Sequence, residues 1–430
     1  MYKAKVVKLQ VKPHPNADRL QLGYVNGIQV IVGMDTHDGD VGVFFPVDGQ
    51  LSDEFLRLHN LYRHSENNVD TNKRGYFSDN GRVTCEKIRG QRSDGFWCPL
   101  SYFEYTGYDL SKLNLGDEFD ELNGHKICQK YYTPATKTAM SKRVKKPKKV
   151  DYNFPKHFDT DKLEYNLNKI EGGDTVIITE KLHGTSTRIG YVQVERENNL
   201  TWWQKLYNKL PFPNYPEATK GFEFTVGTRN TIASDWVTEN SSEWYRIELA
   251  KQIEGMLKKG EIVYAEIVGY DSNGGLIMNA QNTSKLPELQ ERFGDKMMYR
   301  YGCRWNEVGI PQNKMYVYRI TQVNEDGYAI DLSWAQVKKR ARELGLEAVP
   351  ELFKFEVEPG TLPNAITKLV QAFVKGQSYL DDTHIREGVC LRVEKTNGDT
   401  VVLKHKSFEF KVLEGILKQN DDYVDREEIS

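Results

Sequence analysis

Between Lys137 and Lys149 the chain carries seven lysines and arginines and no acidic residue. Like charges repel, so such a run resists packing into a core. It divides a sequence of 430 residues, long enough for two to three domains, into parts that must each bury their own apolar side chains. We read 133–150 as a basic linker, either a solvated tether or one that also touches phosphate. Residues 1–132 and 151–430 are then separate domains.

The first part reads as all-β. Ala4–Val11, Ile28–Val32, Val41–Val47 and Arg82–Ile88 are β-rich, and Gly, Pro and Asn-Gly punctuate them at short intervals. A small barrel of the OB type fits this pattern. His14-Pro15-Asn16-Ala17-Asp18-Arg19-Leu20 resembles the opening of tRNA-binding OB modules. Lys87–Phe96 combines three cations with an aromatic ring, a mixture that suits phosphates and bases.

The second part mixes helices and strands. Thr175–Thr179 and Arg188–Val194 are β-rich and flank Thr179-Glu180-Lys181-Leu182-His183-Gly184-Thr185-Ser186, which places this stretch between two strands. Asn240–Lys258 reads as a helix capped by Asn240, with Tyr245, Leu249, Ile253 and Met256 as its apolar stripe. Ser333–Leu344 is a second helix, with Ser333 and Gln336 as a capping box and Gly345 as its stop. Pro363–Val374 is a third. Strands resume at Gly388–Val393 and Thr400–Leu403.

Composition narrows the function classes. The net charge of −2 argues against a wholly basic coat protein but leaves local phosphate-binding patches open. Cys85, Cys98, Cys128, Cys303 and Cys390 form no C-x-x-C pair, so a zinc site is not expected and reduced thiols are. The N-terminus lacks a signal-peptide core, and no apolar run approaches the ~20 residues that span a bilayer. We expect a cytoplasmic, monomeric protein without a membrane partner. Gly-Lys occurs nowhere, which excludes a Walker A loop.

Nucleotide chemistry must therefore use another device. A lysine attacks phosphorus only as a free amine, and neighbouring cations favour that form. K-x-x-G alone occurs by chance in many proteins, so Lys181 gains weight only from the order of its successors. Phe224–Asn230, Ile262–Gly269, Met315–Ile320, Arg386–Arg392 and Val402–Phe408 come after it in turn. Lys404 and Lys406 are two apart, so in a strand they share a face.

This series resembles the six collinear motifs of the covalent nucleotidyltransferases: DNA ligases, RNA ligases and mRNA capping enzymes. E-K-x-H-G-T-[NS] is similar to the RNA ligase branch that seals duplex RNA. An OB domain placed first, with K-x-K-S-F after the catalytic domain, is similar to a further RNA ligase branch that seals nicks with an RNA 3′-OH. The resemblance implies an α+β fold: a nucleotidyltransferase, ATP-grasp-like catalytic domain of antiparallel sheets and helices after an OB-type barrel. It implies an ATP-dependent RNA ligase that joins a 3′-OH to a 5′-phosphate through lysyl-AMP and RNA-adenylate, with Mg2+ or Mn2+ and RNA, including nicked duplex, as partners.

It also assigns roles. Lys181 is the nucleophile; Glu180 lines the adenine pocket; Arg229 contacts ribose or phosphate. Glu266 holds ribose hydroxyls or a metal-bound water, and Tyr318 stacks on adenine. Glu387 binds the metal, and Lys404 and Lys406 contact the α-phosphate. His183 stands where many ligases have Asp but where the duplex RNA ligase branch usually has His, which implies a catalytic role in the later sealing steps. Ser186 stands where many DNA ligases have Arg, so a ribose contact there is weaker or water-mediated. DNA ligases and capping enzymes carry an OB domain after K-x-K, and only 24 residues follow Lys406. That ranks them behind RNA ligase, and six intact motif positions rank a non-catalytic RNA-binding protein on a ligase fold behind it as well.

Overall fold

Residues 2–142, 153–157, 160–198, 200–210, 214–216, 218–361 and 363–415 are described by the structure, a computed structural model. It is a mixed α/β protein whose sheets are mainly antiparallel, in two compact units. One unit holds 2–142, 363–369 and 408–415; the other holds most of the remainder.

In the first unit the period-2 pattern of Ile28-Gln29-Val30-Ile31-Val32 buries every other residue, as a half-covered strand requires. The strands of its two larger sheets are β1 (Ala4–Lys8), β2 (Gln10–Pro13), β3 (Leu20–Val25), β4 (Ile28–Gly33), β5 (Val41–Pro46), β6 (Gly95–Pro99) and β7 (Glu118–Phe119). They pair as β7-β1-β5-β6 and β2-β3-β4. Phe45, Phe55, Phe96 and Phe103 centre the core, with Phe45 within 5.8–6.4 Å of the other three rings.

Two expectations change here. Only Glu86–Ile88 of the Arg82–Ile88 stretch is strand, in a hairpin with Gln91–Ser93. The Asn80 side chain accepts from the Arg82 N–H, a local bond that competes with ladder formation. The basic run is not all tether: α1 (Pro134–Lys142) is helical, and Thr133 Oγ1 accepts from Thr136 N at its start. Residues 143–150 lie outside the described residues.

The second unit is built mainly from two sheets, beside the short pair Gln281–Asn282 and Lys296–Met297, and Glu347–Ala348 adds a two-residue parallel strand to the second sheet. Apart from these, the strands of the unit are β8 (Asp161–Lys162), β9 (Thr175–Lys181), β10 (Thr185–Glu197), β11 (Ala218–Gly227), β12 (Glu261–Gly269), β13 (Asn313–Val323), β14 (Ala329–Asp331), β15 (Glu351–Glu356), β16 (Gly388–Glu394) and β17 (Thr400–Lys406). The first sheet has the order β8-β17-β16-β9-β15, the second β11-β10-β12-β13-β14. Val176, Ile177 and Ile178 are fully buried, which suits an inner strand covered on both faces.

β9 and β10 belong to different sheets, so Leu182–Gly184 crosses from one to the other. A Cβ on Gly184 would lie 2.4 Å from the Ile267 carbonyl oxygen of β12. Close passage of backbone, rather than a tight turn, demands glycine here.

Of the helices, α2 is Trp202–Tyr207, α3 Tyr245–Lys251, α4 Trp334–Glu343, α5 Pro363–Val374 and α6 Phe408–Leu413. The Ser333/Gln336 capping box of α4 is present as read. α3 is much shorter than Asn240–Lys258. Ser272 Oγ takes the Tyr245 N–H and starts the helix late, and Gly255 at φ 78° breaks the chain soon after it.

Candidate active site

Strand register places the lysines. Lys181 pairs with Gly388, and Gly388 with Lys406; one step along, Thr179 pairs with Cys390, and Cys390 with Lys404. Residues opposite one another in antiparallel strands share a face. One face of the first sheet thus presents Lys181, Lys404 and Lys406 together. Gly388 leaves room between Lys181 and Lys406; a Cβ there would meet the His405 carbonyl at 2.2 Å.

The Glu387 carboxylate closes this row. It is 0% exposed, and its Oε1 lies 2.8 Å from Lys181 Nζ and 3.1 Å from Lys406 Nζ. Burial opposes its ionisation, but Lys181, Lys406 and His183 outweigh burial and hold the carboxyl well below the usual range. His183 sits 3.4 Å from Glu387 Oε2 through Nδ1 and packs edge-on against Tyr299. Tyr301 fixes its backbone by accepting the His183 N–H at 2.6 Å.

The second sheet supplies the opposing wall. Ser186 and Glu266 are register partners, and the Ser186 hydroxyl donates to the Glu266 carboxylate at 3.4 Å. Tyr318 sits where the β12–β13 register shifts: Ala265 pairs with Val317 and Tyr264 with Arg319. A bulge re-aims the side chain that it leaves unpaired. Arg229 follows β11 in a loop tied by Thr228 and Thr231, whose hydroxyls are 2.9 Å apart.

Between the walls is a cleft of about 890 Å3, counting its open mouth. Glu180, Lys181, Ser186, Arg229, Glu266, Tyr318 and Lys404 line it. Lys406, His183 and Glu387 do not; the half-buried Lys406 and the buried His183 and Glu387 cluster next to Lys181. The Glu180 carboxylate accepts the Tyr379 N–H at 2.7 Å, and burial raises its pKa against hydrogen bonds from Ser378 and Tyr379. Cys390, Arg392, Trp334 and His157 also line the cleft and were not assigned from sequence. The alternation 388-390-392 could have revealed the first two. Trp334 and His157 come from distant segments and carry no such signal.

Among the described residues, no three His, Cys, Asp or Glu side chains cluster as a metal site. Glu180 and Glu266 line the cleft and Glu387 lies beside it, and the last two are the metal-binding carboxylates that the resemblance implies. Two oxygen donors suit a hydrated divalent cation that shares its shell with phosphates.

A lysine amine at the edge of a cleft between two sheets, with more lysines on its face, makes a cationic wall suited to a phosphate-bearing ligand. The chain belongs to the RNA ligase family: the family model matches residues 174–408, more than half of the sequence. No curated protein matches the sequence. Among solved structures, the Naegleria gruberi RNA ligase with PPi is similar at TM-score 0.60 and 18% identity, covering 95% of this chain and 97% of that one. A lysine-to-methionine variant of that ligase with AMP and Mn gives TM-score 0.58 and 16% identity, covering 97% and 99%. A lysine-to-alanine variant with ATP and Mn gives 0.58 and 18%, covering 94% and 96%. At these identities the likeness concerns the fold.

Proposed function

We propose that this chain is an ATP-dependent RNA ligase that joins a 3′-OH to a 5′-phosphate, with Lys181 as its nucleophile. The observation that carries the reading is the position of Lys181: in the cleft, 2.8 Å from a buried carboxylate, with Lys404 and Lys406 on its own face. Family membership and the ATP, AMP and Mn bound to the similar ligase support it.

The chemistry is set by charge and position. Lys181 Nζ attacks the α-phosphorus of ATP, a P–N bond forms, and the P–O bond to pyrophosphate breaks. A 5′-phosphate oxygen of RNA then takes the AMP, and a 3′-OH displaces it. Phosphoryl transfer is mainly positioning and charge stabilisation, which Lys404 and Lys406 supply at the α-phosphate. Tyr318 stacks on adenine, with Glu180 at the pocket wall, while Ser186, Arg229 and Glu266 address the ribose side.

Attack needs a neutral amine, whereas pairing with Glu387 favours the ammonium. Drawing the charge of Glu387 elsewhere frees the lysine. Lys406 already shares that carboxylate, and His183 orients it. A divalent cation held near Glu387 and Glu266 would supply Lewis acidity at the phosphates. In the N-terminal region we assign the β-rich segment to an OB-type RNA-binding domain, on the short strands and the cations of Lys87–Arg92.

Incubation with α-labelled ATP and Mg2+ or Mn2+ tests the proposal. A covalent AMP adduct should form and be lost in Lys181→Ala. Absence of any adduct across metals and pH would overturn it, and labelling by GTP instead would move the chain to the capping class.

A further inference from the structure

β10 and β11 run beyond the sheet that they anchor. β10 pairs with β12 only as far as Tyr191, opposite Glu261, yet pairs with β11 out to Glu197 opposite Ala218. The extra length is a two-stranded arm, and α2 sits at its tip.

The tip backbone is specifically tied. Thr201 and Gln204 form a capping box. The Asn208 carboxamide donates to the Tyr215 carbonyl at 2.9 Å and accepts the Tyr215 N–H at 2.7 Å. Asn198 donates to the Pro216 carbonyl at 2.7 Å.

Its indoles take no part in that framework. Trp202 is 62% and Trp203 64% exposed, and their rings stack with centroids 3.6 Å apart. Burial of such rings is what ordinarily stabilises a fold, so a contiguous exposed group signals a partner. Lys205 and Lys209 are exposed beside them, and residues 198–216 contain no acid. Flat aromatic faces beside ammonium groups, with Glu197 and Glu217 only at the borders of this acid-free run, complement a strand of phosphates and unstacked bases.

We propose that this tip is a docking platform for unpaired bases of RNA. The inference rests on the ligase reading for its substrate. β10 begins beside Ser186 in the cleft, so at a rise of ~3.3 Å per residue the arm reaches about 35 Å from the reacting ends. That is roughly ten stacked nucleotides at ~3.4 Å each. The platform thus grips the strand away from the join and leaves the chemistry untouched.

The test uses the full-length protein, with binding followed by anisotropy of labelled single-stranded RNAs of about 20 and about six nucleotides, longer and shorter than the arm's reach. W202A/W203A and K205E/K209E should each weaken binding of the long RNA about tenfold or more. The short RNA, which cannot bridge tip and cleft, should bind the wild type more weakly than the long one and lose less affinity on substitution. AMP transfer to Lys181 should be unaffected, and W202F/W203F should retain most of the affinity. Unchanged affinity of the alanine variant for the long RNA overturns the platform. So does loss confined to vesicles of anionic phospholipid, or to self-association. If the wild type binds RNA through the tip but never takes AMP, the ligase reading fails and the platform stands. If it takes AMP and joins RNA independently of the tip, the platform fails alone.

Discussion

At the scale of the residue, Glu387 is the most constrained group in the site. A carboxylate cut off from water and set between two ammonium groups persists only while both partners remain. Replacing it by Gln keeps the shape and removes the charge, leaving Lys181 and Lys406 facing each other. Breaking a buried pair in this way costs about 3–5 kcal/mol. Glu387→Gln should lower stability by that order in urea titration, and Lys406→Met in the same background should recover part of it. Failure to recover would indicate impaired packing rather than uncompensated charge. Acid behaviour is governed by the same group. Its native pKa lies below the unfolded value of about 4.3, so its stabilisation is complete above that pH and is lost as pH falls towards the native pKa. Between about pH 6 and pH 3, the wild-type Tm should fall more steeply than that of Glu387→Gln, which has no such contribution to lose. The lysine motif was legible as residues at fixed spacing. The service of Glu387 to two lysines at once was not, because it depends on the pairing of three strands.

At the scale of the element, local chemistry was read well where it is self-contained. The capping box of α4 involves residues three apart, and the structure contains it. Ser333→Ala should cost about 1 kcal/mol, visible as a lower Tm. α3 was overestimated because its start is set by Ser272, 27 residues away, which no helical periodicity encodes. The bulge on β13 was equally hidden. The adenine role of Tyr318 followed from the resemblance alone, since nothing in Met315–Ile320 announces the bulge, and the shifted register is what turns the side chain into a cleft wall. If Tyr318 stacks on adenine, Tyr318→Ala should raise KM for ATP in lysine adenylylation about tenfold or more, while Tyr318→Phe stays near wild type. An equal loss in both variants would assign the role to the hydroxyl.

At the scale of the whole molecule, the basic run reads as a divider between two separate domains, which would make the N-terminal part removable. The structure argues otherwise. α6 clusters with residues 2–142, and its Phe410 and Val412 are fully buried. Arg92 lies over the Phe408 ring at 4.7 Å. Deleting the N-terminal segment would take away the unit with which α6 clusters, Arg92 over Phe408 included, so a truncated chain should lose both adenylylation and joining through the loss of that packing. Its failure would say nothing about RNA. Surface charge reversal avoids this. Lys87 and Arg89 are exposed on the Glu86–Ser93 hairpin, which Asn16 anchors by donating to the Arg89 carbonyl at 3.2 Å. If this face holds phosphates, K87E/R89E should leave AMP transfer to Lys181 intact and slow RNA joining. The dependence of RNA affinity on the logarithm of salt concentration should flatten by about one for each phosphate that the variant no longer neutralises. Joining and salt dependence identical to wild type would remove the N-terminal unit from RNA recognition and leave it a purely structural role.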